Sequence, residues 1–102
     1  MRSLTEGIQG AIDYMESHLT EPLSVGEIAA QAHLSAFHFQ RLFRMLCGFT
    51  VGEYLRGRRL TLAAGDLTAS GGKIIDLALK YGYDSPDSFT RAFTRFHGIS
   101  PS

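Results

Sequence analysis

Residues 25–50 read VGEIAAQAHLSAFHFQRLFRMLCGFT, and residues 74–100 read IIDLALKYGYDSPDSFTRAFTRFHGIS. The second stretch is a diverged copy of the first. Val25-x-Glu27-Ile28-Ala29 aligns with Ile74-x-Asp76-Leu77-Ala78 at an offset of 49 residues. Phe39-x-Arg41-x-Phe43 then aligns with Phe89-x-Arg91-x-Phe93 at an offset of 50, and Gly48-x-Thr50 with Gly98-x-Ser100 in the same register. One inserted residue near Pro86 accounts for the change. Self-similarity of this length marks a supersecondary unit used twice. Each copy reads as a short helix, a turn and a longer helix with an arginine on its outer face.

Helix punctuation surrounds and separates the copies. Ser3-x-x-Glu6, Ser24-x-x-Glu27 and Thr50-x-x-Glu53 are capping boxes, in which a hydroxyl and a carboxylate satisfy orphan N–H groups reciprocally. The first opens a helix with Ile8, Ile12, Met15 and Leu19 on one stripe, ended by Glu21-Pro22. The second opens a short helix to about Ala32. Ser35 caps a third helix, closed by Gly48. The third box starts a helix to about Ser70, after which Gly71-Gly72 breaks the chain. A fifth helix covers about Ile74–Tyr81, with Gly82 suited to a left-handed cap. Ser85 caps the sixth, Pro86 occupies its first turn where a missing N–H costs nothing, and Gly98 closes it. No segment alternates as a strand pair does. The expected fold is all-α, with two helix-turn-helix subdomains, 1–49 and 71–102, joined by a long linker helix over 50–70.

Bulk composition narrows the function. The chain has 102 residues, 44% of them apolar, enough for one small domain or two subdomains with real cores. No apolar run approaches the ~18 residues of a membrane span, so no membrane partner is expected. The first residues lack a signal peptide's apolar block. The single cysteine, Cys47, cannot form an internal disulfide, so a reducing cytoplasm is the expected location. The formal charge is zero, which by itself argues mildly against nucleic acid. The distribution argues otherwise. Residues 1–40 carry one basic group (Arg2) against five acidic ones, whereas residues 41–59 carry five basic groups (Arg41, Arg44, Arg56, Arg58, Arg59) against Glu53 alone. Residues 91–102 add Arg91 and Arg95 with no acid. A neutral chain can thus present a basic face.

At ~100° per residue, Phe39, Leu42, Phe43 and Leu46 fall on one side of the third helix and predict its core stripe. Phe37, Gln40, Arg41 and Arg44 fall opposite. In the sixth helix Phe89, Ala92, Phe93 and Phe96 point inward, while Asp87, Thr90, Arg91 and Thr94 point outward at matching angles. A short helix, a tight turn and a longer helix with this outer face form a helix-turn-helix pattern, whose second helix has the width of a DNA major groove. The outward residue types suit base reading: arginine donates two bonds to guanine, glutamine pairs with adenine, and threonine bonds a base or touches a thymine methyl. Phe37 can pack on thymine methyls.

The chain resembles the DNA-binding domain of AraC/XylS-type bacterial transcription regulators. The motifs are Leu34-Ser35-x-x-x-Phe39-x-Arg41-x-Phe43-Arg44, Gly48, Tyr54 and Arg59-Leu60-x-x-Ala63. Denser still is Ile74-x-x-Leu77-Ala78-x-x-x-Gly82-Tyr83-x-Ser85-x-x-x-Phe89-x-Arg91-x-Phe93-x-x-x-x-Gly98-x-Ser100-Pro101. His38-Phe39-Gln40-Arg41 resembles the branch that includes MarA, SoxS and Rob. The resemblance implies a regulator that reads two adjacent major-groove segments of double-stranded DNA with its third and sixth helices. By position it implies Phe37, Gln40, Arg41, Asp87, Thr90 and Arg91 as base-facing residues and Arg44, Arg56, Arg58 and Arg95 as phosphate neutralisers. Arg59 matches an arginine that supports the fold internally in that family. The resemblance also implies RNA polymerase as a partner, with activation and repression both left open by the sequence, a place at the bacterial nucleoid, and room for a ligand-sensing domain beyond the C-terminus.

Four positions depart from the family pattern. His33 stands where the family usually has glycine in the first turn, and histidine adopts a left-handed backbone at some cost. Val51 stands where proline is frequent. Pro86 and Asp87 replace neutral polar residues, and a carboxylate at 87 repels phosphate but accepts from cytosine. The first outer face, Phe-Gln-Arg-Arg, is more positive than the second, Asp-Thr-Arg-Thr. The first unit is therefore expected to supply most of the affinity and the second to adjust it. His18, His33, His38 and His97 make no metal-binding spacing with one another or with Cys47, and no nucleophile–base pair or phosphate loop stands out. Neither a cofactor nor an enzymatic role is expected. The alternative to DNA reading is an all-helical protein-interaction module that has lost operator binding.

Overall fold

The computed structural model describes residues 3–70 and 73–102, with Ser70 described by its backbone alone. Among these residues all regular structure is helical: α1 (Leu4–Ser17), α2 (Val25–Ala30), α3 (Ala36–Cys47), α4 (Val51–Ser70), α5 (Ile74–Lys80) and α6 (Pro86–His97). The Gly71-Gly72 break and Arg2 lie outside the described residues. No described helix is long and apolar enough to cross a membrane.

The helix starts are built by the capping chemistry expected of them. Both halves of the box form at α2, where Ser24 Oγ accepts from Glu27 N at 3.1 Å and Glu27 Oε1 accepts from Ser24 N at 3.2 Å. Thr50 and Glu53 do the same at α4, at 3.0 and 2.8 Å. At α1 only one half of the expected box forms among the described residues, the Ser3 hydroxyl accepting from Glu6 N at 3.1 Å. Ser35 and Ser85 cap α3 and α6 by accepting from His38 N and Ser88 N. Gly48 and Gly98 end these two helices at φ 84° and 80°, the left-handed C-cap conformation that glycine adopts without a Cβ penalty.

Three helix ends fall short of the sequence expectation. The first helix stops at Ser17, ahead of Glu21-Pro22, and the second stops at Ala30 and the fifth at Lys80, where the chain turns earlier. The turns after α2 and α5 are the same device. Leu34 N donates to Ala29 O at 3.2 Å, and Tyr83 N donates to Ala78 O at 2.8 Å. The residue before each donor is left-handed: His33 at φ 58° and Gly82 at φ 86°. This is a Schellman-type closure that satisfies the helix's last carbonyls. The offset is still 49 at Tyr83 and becomes 50 at the Ser85 cap, so the inserted residue is Asp84.

The chain divides into two compact units, 1–55 and 56–102, and the division falls within α4. In the first unit Ile8, Met15 and Leu19 of the expected stripe pack with Ala11, Ile28, Phe39, Phe43, Val51 and Leu55, while Ile12 of that stripe is only partly buried. Tyr54 donates its hydroxyl to Glu16 across this unit. In the second unit Leu60 and Ala63 of α4 pack with Leu77, Ala78, Tyr81, Phe89 and Phe93. Asp66 of α4 accepts from Lys80 Nζ at 2.8 Å and from Tyr81 Oη at 2.6 Å, tying α4 to the end of α5. Phe39, Phe43 and Phe89 have no exposed surface. Burying a phenylalanine stabilises by about 1.5–3 kcal/mol, so these rings fix the rotation of α3 and α6 about their own axes.

The expected core stripe runs too far in both helices. Leu46 is 58% exposed and Phe96 50% exposed. Their angle around the helix is the core angle, but they lie beyond the last layer of partners. Phe96 instead lies over the backbone of Gly57, where an added Cβ would come within 3.3 Å of its ring. His97 takes the neighbouring space, packing against Phe93 at 4.3 Å between ring centroids with the ring planes tilted by 47°, and with Nε2 2.8 Å from Leu60 O.

Candidate nucleic-acid interface

With the phenylalanines turned inward, the residues between them must face out. Phe37 is 64% exposed, and Gln40, Arg41 and Arg44 are exposed beside it on α3. Asp87 and Arg91 of α6 are exposed, as is Arg95, while Thr90 is half-buried. The arginines at the repeated position therefore both reach solvent. On α4, Arg56 is exposed and Arg58 and Arg59 are half-buried.

Within the first unit the structure brings several of these residues together. The Arg41 guanidinium sits 5.6 Å above the centre of the Phe37 ring, a cation–π arrangement one helical turn apart. Gln40, Arg41 and Arg44 line one side of an open groove of about 400 Å³. The other side comes from Val25 at the start of α2 and from Thr50, Val51 and Gly52 at the start of α4. The groove joins guanidinium groups to the N-terminal end of a 20-residue helix, where backbone N–H groups and the helix dipole also favour anions. Sequence reading missed Val25, Thr50 and Gly52 as neighbours of the arginines. The capping box at Thr50 marks a helix start but does not say which other elements that start adjoins.

Within the second unit the arrangement is looser. Asp87 and Arg91 occupy the positions of Phe37 and Arg41, yet no ion pair joins them among the described residues. Arg56 and Arg59 lie near Tyr83. Burial pushes the Tyr83 phenol above its ordinary value, and the positive charges of Arg56 and Arg59 pull it partly back. Burial likewise pulls the Arg59 guanidinium down, which fits a supporting position better than a solvent-facing one. No described group of His, Cys, Asp and Glu is arranged to hold a metal ion.

Comparison with known proteins gives these faces a context. A helix-turn-helix domain profile matches residues 28–102. The HTH-type transcriptional activator AarP of Providencia stuartii is 43% identical over 87% of this chain and 66% of its own length. The transcriptional regulator Rob of Salmonella typhimurium is 39% identical over 93% of this chain and 33% of its own. The chain thus spans about two thirds of one of these relatives and one third of the other. Among solved structures, the DNA-binding domain of AdpA, a global transcriptional factor captured with a target DNA, superposes with a TM-score of 0.84 at 29% identity. That likeness covers 93% of this chain and 86% of the AdpA domain. The capped double unit, its two exposed arginines and these likenesses together establish that the chain belongs to the AraC/XylS-type family of helix-turn-helix DNA-binding domains, in its MarA-, SoxS- and Rob-like branch.

Proposed function

We propose that this chain is the sequence-specific DNA-binding part of a bacterial transcription regulator, reading two adjacent major-groove segments with α3 and α6. One observation carries the reading: the duplicated unit presents Arg41 and Arg91 from equivalent, exposed positions on helices whose rotation is set by buried phenylalanines. A fixed helix with an outward arginine suits bidentate donation to guanine O6 and N7. Phe37, Gln40 and Arg41 are the base-facing set in the first unit, and Asp87, Thr90 and Arg91 in the second. Arg44, Arg56, Arg58 and Arg95 neutralise phosphates. Helix-turn-helix half-sites one helical turn apart give a site of ~20 base pairs. Transcription activation through RNA polymerase, at the nucleoid, follows from the same reading.

The test is selection of bound duplexes from a random-sequence pool, followed by titration of the enriched duplex across a salt series. One bipartite motif is expected. Affinity should fall steeply between 50 and 200 mM salt, roughly 10²-fold for the four phosphate contacts of Arg44, Arg56, Arg58 and Arg95. A protein-interaction module on the same scaffold gives no enriched motif and no saturable binding at low salt, and that result would sink the proposal.

A further inference from the structure

The two outer faces differ most at one pair of equivalent positions, a turn before the repeated arginine. In α3 that position is Phe37, and its ring lies under Arg41 at 5.6 Å. In α6 it is Asp87. The spacing from Asp87 to Arg91 is four residues with the acid first, the favourable order for a pair within a helix. The pair nonetheless does not form among the described residues, and both side chains are exposed. Nor does the start of α6 need the carboxylate as a cap. Ser85 Oγ already accepts from Ser88 N at 3.1 Å, and Pro86 has no N–H to satisfy.

A carboxylate on a face turned to DNA meets two kinds of partner. Phosphates repel it everywhere, so it weakens binding to any sequence. In the major groove it is repelled by the acceptors of guanine and by thymine O4, and it is attracted only by exocyclic amines. Cytosine offers N4 with no acceptor of its own beside it, its one neighbouring acceptor being the paired guanine O6, whereas the adenine N6 amine lies between its own N7 and the paired thymine O4. Discrimination of this kind works by rejecting the wrong partner more than by gaining the right one.

We infer that Asp87 is a specificity gate on α6: it requires cytosine at one position of the second half-site and lowers affinity for all other DNA. The inference rests on the DNA reading proposed above and adds the base class and the sign of the effect. The first unit holds on with a stacked, positively charged reader, and the second rejects.

The experiment is pool selection with the full chain, its Asp87→Asn variant and its Asp87→Glu variant, followed by anisotropy titration on selected and scrambled duplexes. The wild-type motif should carry one cytosine in its second half that Asp87→Asn no longer requires, every other position being kept. Asparagine both donates and accepts, so the scrambled-to-selected ratio of Kd should fall about tenfold, chiefly through tighter scrambled binding. Asp87→Glu keeps the charge and should keep the poor binding to scrambled DNA. A motif and ratio left unchanged by Asp87→Asn overturn the gate while leaving the DNA reading intact. Equal weakening on both duplexes overturns it as well, reducing Asp87 to a residue that supports the helix start. Absence of any wild-type motif overturns the DNA reading and this inference together.

Discussion

Replacing His33 with glycine should stabilise the protein, although it removes a side chain and adds nothing. His33 is the one described non-glycine residue at positive φ, 58°, and the equivalent turn in the second unit has Gly82 at 86°. The backbone bonds around the two turns match, so the conformation is imposed by the closure between helices and not by the imidazole. The imidazole itself is exposed and has no hydrogen bond or ring contact among the described residues. An L-residue held left-handed costs roughly 1–2 kcal/mol, and histidine, which enters this region more readily than most, falls in the lower half of that range. Glycine gives back about 0.4–1 kcal/mol because its unfolded chain has more freedom to lose. The net gain for His33→Gly is therefore about 0.5 kcal/mol, or roughly 2–4 °C in melting temperature for a domain of this size. Gly82→Ala is the mirror experiment and should lose about 1 kcal/mol, since alanine has histidine's backbone cost without its tolerance. Thermal and urea unfolding followed by circular dichroism measure both. An unchanged or lowered midpoint for His33→Gly, alongside a destabilised Gly82→Ala, would show that the imidazole contributes stability of its own and that the strain argument is wrong.

Three further outcomes test other links. Arg41→Ala should weaken the selected site by about 1–3 kcal/mol, and by more than Arg91→Ala does, because Asp87 offsets the charge of the second face; equal or reversed losses in a binding titration defeat that ranking. Arg44→Gln should reduce the slope of log K against log salt by about 0.9 while leaving the preferred motif unchanged; a slope equal to that of wild type removes Arg44 from the phosphate contacts. Hydrogen bonds from Lys80 and then Tyr81 hold the Asp66 carboxyl below its ordinary value. The sign follows from that depression: the stabilisation is complete above the unfolded pKa of about 3.9 and is lost as pH falls through the lower folded value. Asp66→Asn should therefore lower the melting temperature at neutral pH, with the difference closing below about pH 4; a gap that persists in acid shows that Asp66 acts through something other than its charge.

Much of this molecule is written in local sequence because its local signals agree. Five of the six described helix starts pair a hydroxyl with an N–H three residues on, α5 alone starting at Lys73 without a side-chain cap, and each turn carries glycine or a residue that tolerates its place. Such bonds span few residues, so spacing reveals them. The outer faces of α3 and α6 were legible for a related reason. A helix with phenylalanine at positions 39 and 43, or 89 and 93, can bury them in only one rotation, and that rotation sends Arg41 and Arg91 outward. The length of the buried stripe was not legible, since whether Leu46 or Phe96 finds a partner depends on where another helix stops. Periodicity gives an angle but no depth.

By itself, then, the order of residues determined the six helices, their caps, the duplication and the identity of the outward arginines, all through contacts within a few positions along the chain. Only the tertiary structure decided that Gly57 receives Phe96, that Asp66 meets Lys80 and Tyr81, and that Gln40, Arg41 and Arg44 share a groove with the starts of α2 and α4. Those groups are separated by many residues and meet because helices of fixed length pack on a common core. No local rule encodes that meeting.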